Sequence, residues 1–340
     1  MTIKKPILML APMAGYTDSA FRIVCKRQGA NLLMTELVSA DAIAHFAMKS
    51  KIQNPNVRSS SKSKCQNNPT FKLMEFRKEE MPIIVQLFGK DPEKFAVAAK
   101  WIEKNLQPAG IDINMGCPAR KIIGSDHGAT LLRDQKRGLE IVKTVRDATS
   151  LPLSAKTRLG WECDDEILGF GPKLIAAGVD ALIIHGRTYR DGFSGNARWE
   201  NIYKLKSKIL PAGRQGKDQK SKLRNIAIIG NGDIKKYDDI IQSMKNLDGV
   251  AIGRGAIGNP FIFNPDFEKL SEVEKLALKK KIVWEHAKLA FKLKGKKGII
   301  ELRKHLLVYF RGHPRAKVLR KKFVMVENPG EIKKILAEIV

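Results

Sequence analysis

The chain has 340 residues, 43% of them hydrophobic, enough for one large barrel with an appendage or for two domains. Its 62 Lys+Arg against 35 Asp+Glu give a formal net charge of +27, which favours a polyanionic partner such as nucleic acid. No apolar run approaches the ~18 residues that span a bilayer, and the N-terminal "MTIKKPILMLAP" is too short in its apolar part, so a soluble, cytosolic chain with no membrane partner is expected.

Eight short apolar or β-branched runs follow in chain order: Ile7 to Leu10, Leu32 to Leu37, Pro82 to Leu87, Gly110 to Asn114, Pro152 to Arg158, Asp180 to Gly186, Asn225 to Gly230 and Asp248 to Gly253. Helical patterns fill most gaps, among them "AFRIVCKRQG", "DPEKFAVAAKWIEKN", "DQKRGLEIVKTVRDAT" and "DEILGFGPKLIAAG". Eight strands alternating with helices predict an α/β fold, a TIM (β/α)8 barrel, with a doubly wound sheet as the alternative. Two polar stretches, residues 54–71 and 211–225, read as surface insertions. Beyond Asn264 the strand signal ends, and "KLALKKKIVWEHAKLAFKLKG" and "IIELRKHLLVYFRG" carry helical spacing. The expected division is a barrel over residues 1–261 and a helical domain over 262–340.

Cys25, Cys65, Cys117 and Cys163 lie far apart, with no CxxC pair and no His at ligand spacing. Neither a disulfide framework nor a metal site is expected, and any cysteine chemistry is solitary. In a TIM barrel the active site gathers at the C-terminal ends of the strands. There the sequence places Pro12, Met13, Ala14 and Gly15, then Glu36, Gln86, Asn114 with Cys117, Lys156 with Arg158, His185, Asn231, Gly232 and Asp233, and finally Gly253 and Arg254. A turn or cap explains any one of them, but not all together.

"IGRGAIGNP" contains a GxGxxG, yet it follows the last strand rather than opening the first βαβ unit, which argues against a Rossmann site. In a barrel, the loops after strands seven and eight form a phosphate site from glycine amides and a helix N-terminus, and "GNGD" and "GRG" sit there beside Arg254.

Taken together, "LAPMAGYTDSAFR", "ELVSADA", "QLFG", "DINMGCPARK", "GATLL", "AKTRLGW", "IIHGRT", "SGNARW", "IGNGDI" and "DGVAIGRGAIGNPFIF" resemble the bacterial tRNA-dihydrouridine synthase family, with a lean to its B-type branch, over essentially the whole chain. The resemblance implies an FMN barrel with a helical RNA-binding domain, NADPH or NADH as electron donor, and reduction of the C5–C6 double bond of a tRNA uridine. It implies that Pro12, Met13 and Ala14 line the flavin, that Gln86 bonds its ring edge, and that Lys156 stabilises the anionic reduced ring. His185, Asn231, Gly232, Asp233, Gly253 and Arg254 would hold the ribityl chain and phosphate. Asn114 and Arg158 would contact uracil, and Arg198 and Glu36 are further candidates, read equally as ion-pair or capping residues.

Hydride arriving at uracil C6 leaves enolate-like charge on C5 and O4, and the reaction completes only when an acid protonates C5. Cys117, held between Gly116 and Pro118, suits that acid, whereas Cys25 in an amphipathic helix reads as a packed thiol and Cys65 as incidental. Lys292 to Lys322 carries 12 Lys+Arg against the single acid Glu301. With Tyr309, Phe310 and His313 interleaved, that stretch suits stacking and phosphate contact, through Lys304, Arg311 and Arg315. The family's Trp-Tyr pair after Arg-Lys-His is replaced here by Val308-Tyr309. Two other readings are a small-molecule flavin barrel of the dihydroorotate dehydrogenase kind and a tRNA-binding protein without catalysis. A monomer is expected.

Overall fold

The computed structural model describes residues 5–53, 69–209 and 226–339. Nine strands form one parallel sheet: β1 (Ile7–Leu10), β2 (Leu33–Met34), β3 (Val38–Ser39), β4 (Ile83–Phe88), β5 (Gly110–Asn114), β6 (Leu153–Arg158), β7 (Ala181–His185), β8 (Ala227–Asn231) and β9 (Gly249–Ile252). β2 and β3 both pair with β4, so they are the two halves of one strand position interrupted at Thr35, Glu36 and Leu37. β1 pairs with β9 at one side. On the other, Asn31 N–H donates to Leu8 O at 2.9 Å and Leu10 N–H to Leu32 O at 3.0 Å, which closes the ring at eight strand positions. This is the expected TIM barrel.

The alternation of each strand sorts its side chains. Leu8 and Leu10 face the surrounding helices, while Ile7, Met9, Ile183 and Ile229 pack inside the barrel. The inner face is not wholly aliphatic, because Gln86, Asp112 and Ser154, paired across β4, β5 and β6, are buried there as well. Helix starts follow the sequence signals: Asp91 accepts from Glu93 N–H at 3.0 Å with Pro92 at the first helical position, and Asp134 caps Arg137 N–H at 3.0 Å.

Beyond the barrel, Glu272–Tyr309 runs as two helices joined at Gly295, whose φ of 59° breaks the helical path. Ala316–Phe323 and Pro329–Ala337 complete a C-terminal helical region. Its core draws in Ala20 and Val24 of the first barrel helix, Ser19–Arg27, together with Phe261 and Phe267. The expected boundary at 261/262 therefore falls inside the 3-10 turn Pro260–Phe263, which serves both cores. Gly258, at φ 63°, has room for no Cβ, since one would lie 2.7 Å from Val308 Cβ. The barrel and the second half of the long helix meet there at backbone distance.

One expectation needs correction. Phe71 does not belong to a surface insertion: it lies in the helix Pro69–Met74, is buried, and packs 4.6 Å from Phe46 and 5.0 Å from Trp101. Residues 54–68, with Cys65, and 211–225 lie outside the described residues.

Behind the first loop, Arg22 and Glu80 form a buried ion pair at 2.5 Å. Arg22 also donates to Thr17 O and Glu75 O at 2.8 Å, and Glu80 accepts from Ser19 Oγ and Arg77 N–H. Removing one partner leaves the other charge buried and uncompensated. Glu80→Ala is expected to lower unfolding free energy by about 3–5 kcal/mol in urea titrations, far more than Glu79→Ala at the exposed Arg27–Glu79 pair.

Candidate active site

At the C-terminal ends of the strands opens a cleft of about 1280 Å³, walled on one side by strand-end loops and on the other by the C-terminal helices. Its lining includes the sequence candidates Pro12, Met13, Ala14, Gln86, Asn114, Cys117, Lys156, Arg158, His185, Asn231, Gly232, Asp233, Gly253 and Arg254. Lys304 and Arg311 reach the same cleft from the helical region.

The strand register explains the convergence. Asn114 pairs with Lys156, Arg158 with His185, and His185 with Asn231, so four neighbouring strands end in functional groups at similar heights. Lys156 Nζ donates to Asn231 Oδ1 at 3.1 Å. Burial, reinforced by Arg158, pulls the Lys156 ammonium down to about 8 from its ordinary 10.5. Burial likewise pushes His185 down to about 2, with Lys156, Arg158, Arg187 and Arg254 all opposing a further positive charge. His185 is thus neutral, and its Nε2 lies 3.3 Å from Arg187 Nη1, so it accepts from that guanidinium.

Arg158 is nearly fully buried, and its Nε donates to Gly116 O while Nη1 donates to Thr188 O and Gly192 O, each at 2.8 Å. It ties the Cys117 turn to the loop after β7. Asn114 Oδ1 accepts from Gly116 N–H at 3.2 Å and Cys117 N–H at 3.0 Å. Both residues were expected at the substrate; both also shape the loop that carries Cys117. The thiol lies within electrostatic reach of Lys156 and Arg158.

After β8 and β9 the chain makes the expected glycine-lined loops. Gly232 has φ 134° and Asp233 φ 54°, and among the described residues the amides of Gly232, Asp233, Gly253 and Arg254 meet no protein acceptor. Unpaired amides beside the half-exposed Arg254 form an anion cradle of the kind phosphates occupy. Asp233 itself is held by Arg187 Nη2, at 2.8 and 3.0 Å, and by Ala197 N–H at 2.7 Å, so it shapes the loop.

Not every candidate comes to the cleft. Arg198 pairs with Asp164 at 2.8 Å and Asp191 at 2.6 Å outside its lining, and Arg315 donates to Glu338 O at 2.8 Å. Glu36 is buried and accepts from Gly15 N–H, fixing the turn after β1. Tyr309 borders the cleft, but its ring and that of Phe310 are not free to stack on a ligand as expected: they are 2% and 4% exposed in the C-terminal core, with Tyr309 OH 3.0 Å from His286 Nδ1. Cys25 is fully buried, as expected. Sequence reasoning missed Arg187 and Asp112; Arg187 stands two residues past His185 at a strand end, and Asp112 alternates with Asn114, so strand periodicity carried the signal for both.

Residues 9–340 match the family model described as Dihydrouridine synthase (Dus). The chain belongs to the dihydrouridine synthase family. It is 34% identical to the "Probable tRNA-dihydrouridine synthase" of Aquifex aeolicus, over 99% of this chain and 97% of that relative. It is 32% identical to the "Probable tRNA-dihydrouridine synthase 1" of Synechocystis sp., over 100% and 88%, and 31% identical to the tRNA-dihydrouridine synthase B of Xanthomonas axonopodis pv. citri, over 95% and 90%. Among solved structures, histamine dehydrogenase from Rhizobium sp. 4-9 shares the fold, at a TM-score of 0.50 and 12% identity, over 83% of this chain and 49% of that one.

Lys156 is held against its own solvation. Its folded value lies below its unfolded one, so the unfolded chain binds more protons between about pH 8 and 10.5 and stability rises with pH across that window. Lys156→Met is therefore expected to stabilise the ligand-free chain by about 1–3 kcal/mol below pH 8, a gain that disappears by about pH 10.5. Chemical denaturation at pH 7 and pH 10.5 checks this.

Proposed function

We propose that this chain reduces the C5–C6 double bond of uridines in tRNA to 5,6-dihydrouridine, as an FMN-dependent oxidoreductase that draws electrons from NADPH and works in the cytoplasm as a monomer. Residues 1–261 form the catalytic unit and 262–340 the tRNA-binding unit. The observation that carries the reading is a thiol, Cys117, set in one cleft with the buried Arg158 and the half-buried Lys156, a cradle of unpaired loop amides and a wall of basic helical residues.

The donor set fits a flavin mononucleotide. The free amides at Gly232, Asp233, Gly253 and Arg254 would take its phosphate, and Gln86 and Lys156 would meet its ring, with the backbone of Pro12 to Ala14 along one side. A flavin held by these residues would supply hydride chemistry for uracil C6. The protein's own part is electrostatic and acid–base. Lys156 and Arg158 bring positive charge to the region where C5 and O4 of the uracil become electron-rich. Cys117 then gives its thiol proton to C5. Neutral His185 adds no further cation to a site already crowded with them.

A small-molecule flavin barrel has no use for Lys304 and Arg311 at the mouth of its cleft. A folded RNA does, because phosphate contacts position a long polyanion while the barrel selects one nucleotide drawn out of its stack.

Cys117→Ala is expected to leave the yellow flavin complex and NADPH oxidation intact and to slow single-turnover uridine reduction by ~100- to 10,000-fold. Unchanged turnover would remove Cys117 from the role.

Lys304→Ala with Arg311→Ala is expected to weaken tRNA binding and flatten its dependence on salt, while flavin reduction by NADPH is unchanged. Arg315→Ala is expected to do less, since its guanidinium is tied to Glu338 O. Filter binding across a salt series reads both.

A further inference from the structure

Below the cleft floor lies a carboxylate that the proposed chemistry does not use. Asp112 is fully buried inside the barrel, and among the described residues it makes no ion pair. Burial pushes its carboxyl up to about 7, against the pull of Ser154, Gln86 and Lys156. An apolar residue would pack at this depth without that desolvation cost. The hydrogen bonds around it show what the carboxylate does instead.

Gln86 Nε2 donates to Asp112 Oδ2 at 2.8 Å, and Ser154 Oγ donates to Oδ1 at 2.6 Å. Gln86 Oε1 then accepts from Asn114 Nδ2 at 2.9 Å, and Asn114 Oδ1 accepts from the amides of Gly116 and Cys117. A carboxamide has one accepting and one donating end, so each link fixes the next. Because Asp112 presents only an acceptor to Gln86, the amine of Gln86 must face down and its oxygen up. The same holds for Asn114, whose oxygen is thereby aimed at the Cys117 turn. Were Asn114 reversed, its NH2 would confront two backbone N–H groups; were Gln86 reversed, its oxygen would confront the Asp112 carboxylate and its NH2 that of Asn114. A proton on Asp112 Oδ1 does not break the sequence, since it can be donated to Ser154 Oγ while Oδ2 still accepts from Gln86.

We propose that Asp112 is a positioning residue: through the fixed orientation of Gln86 and Asn114 it holds the backbone amides of Gly116 and Cys117, and so sets where the thiol stands. The structural part of this inference is independent of the reaction; only its kinetic consequence rests on Cys117 as the acid proposed above.

The test uses the full chain and amide hydrogen exchange resolved to single residues. In Asp112→Leu, the amides of Gly116 and Cys117 are expected to exchange on the order of 10-fold faster, the factor for one ordinary hydrogen bond, while those of β4 and β5 stay protected. Gln86→Met, which cuts the same sequence of bonds one step later, is expected to give the same local pattern and carries the test if Asp112→Leu does not fold. Asp112→Asn is expected to behave as wild type, its oxygen toward Gln86 and its NH2 toward Ser154 Oγ. Uridine reduction in Asp112→Leu is expected to lose about 10- to 100-fold in kcat with KM for tRNA unchanged. Unaltered exchange at Gly116 and Cys117 in the folded variants overturns the proposal. So does a rise shared equally with β4 and β5, or Asp112→Asn exchanging as fast as Asp112→Leu. Faster local exchange with unchanged uridine reduction supports the positioning role and counts against Cys117 as the acid.

Discussion

Between β4 and β8 the parallel register pairs Gln86 with Asp112, Asp112 with Ser154, Asn114 with Lys156, Arg158 with His185, and His185 with Asn231. A shift of one residue in any of these strands would turn its polar side chains to the helices and its aliphatic ones to the cleft. The site therefore depends on the ladder being held. It is held by the aliphatic residues on the opposite faces of the same strands, such as Ile111 and Ile113 of β5, Leu182 and Ile184 of β7 and Ile228 of β8, packed against the helices. Packing and chemistry are written on alternate residues of one strand.

The second constraint is cation crowding. Lys156, Arg158, Arg187 and Arg254 share a region in which Asp233, Asp191 and Asp112 are the carboxylates that act on them. Buried cations of this kind survive where each guanidinium is saturated by acceptors. Arg158 does this with three carbonyl oxygens, and Arg187 with Ser194 O, Gly195 O and the Asp233 carboxylate. The remaining positive potential faces the cleft, where an anionic phosphate and an electron-rich uracil would meet it.

The barrel was legible because its strands alternate or run apolar at regular intervals, and because the strand ends concentrate polar groups. The helical tail was legible from spacing alone. Side-chain direction inside the tail was not. Tyr309 and Phe310 stand among charges in sequence, yet the helix turns them inward, and a basic surface and an aromatic core can interleave residue by residue on one helix. Nor were the partners of Arg198 and Arg315 legible: an arginine next to motif residues is as ready to pair with Asp164, or with Glu338 O, as to face a ligand. Asp112 was hidden because a polar residue inside a strand reads as a minor break in an apolar run unless its cross-strand neighbours are known. Gln86 and Ser154 are neighbours only in the folded sheet.

The cleft belongs to neither the barrel nor the tail alone. Gly258 lets Val308 and Tyr309 approach the loop after β9 at backbone distance, and Lys294 Nζ reaches Asp18 Oδ2 at 3.0 Å at the start of the first barrel helix. Lys304 lies 5.0 Å over the Tyr16 ring, beside the turn that Glu36 fixes. The C-terminal helices are thereby set against the barrel on both sides of the break at Gly295, with Lys304 and Arg311 lining the same cleft as Cys117. A substrate gripped by those helices meets the thiol only if its reactive base projects across the gap, which a nucleotide swung out of a folded RNA can do and a small free molecule has no need to do. On the proposed function, the placement of these helices against the barrel would limit which uridine of a tRNA can reach the thiol.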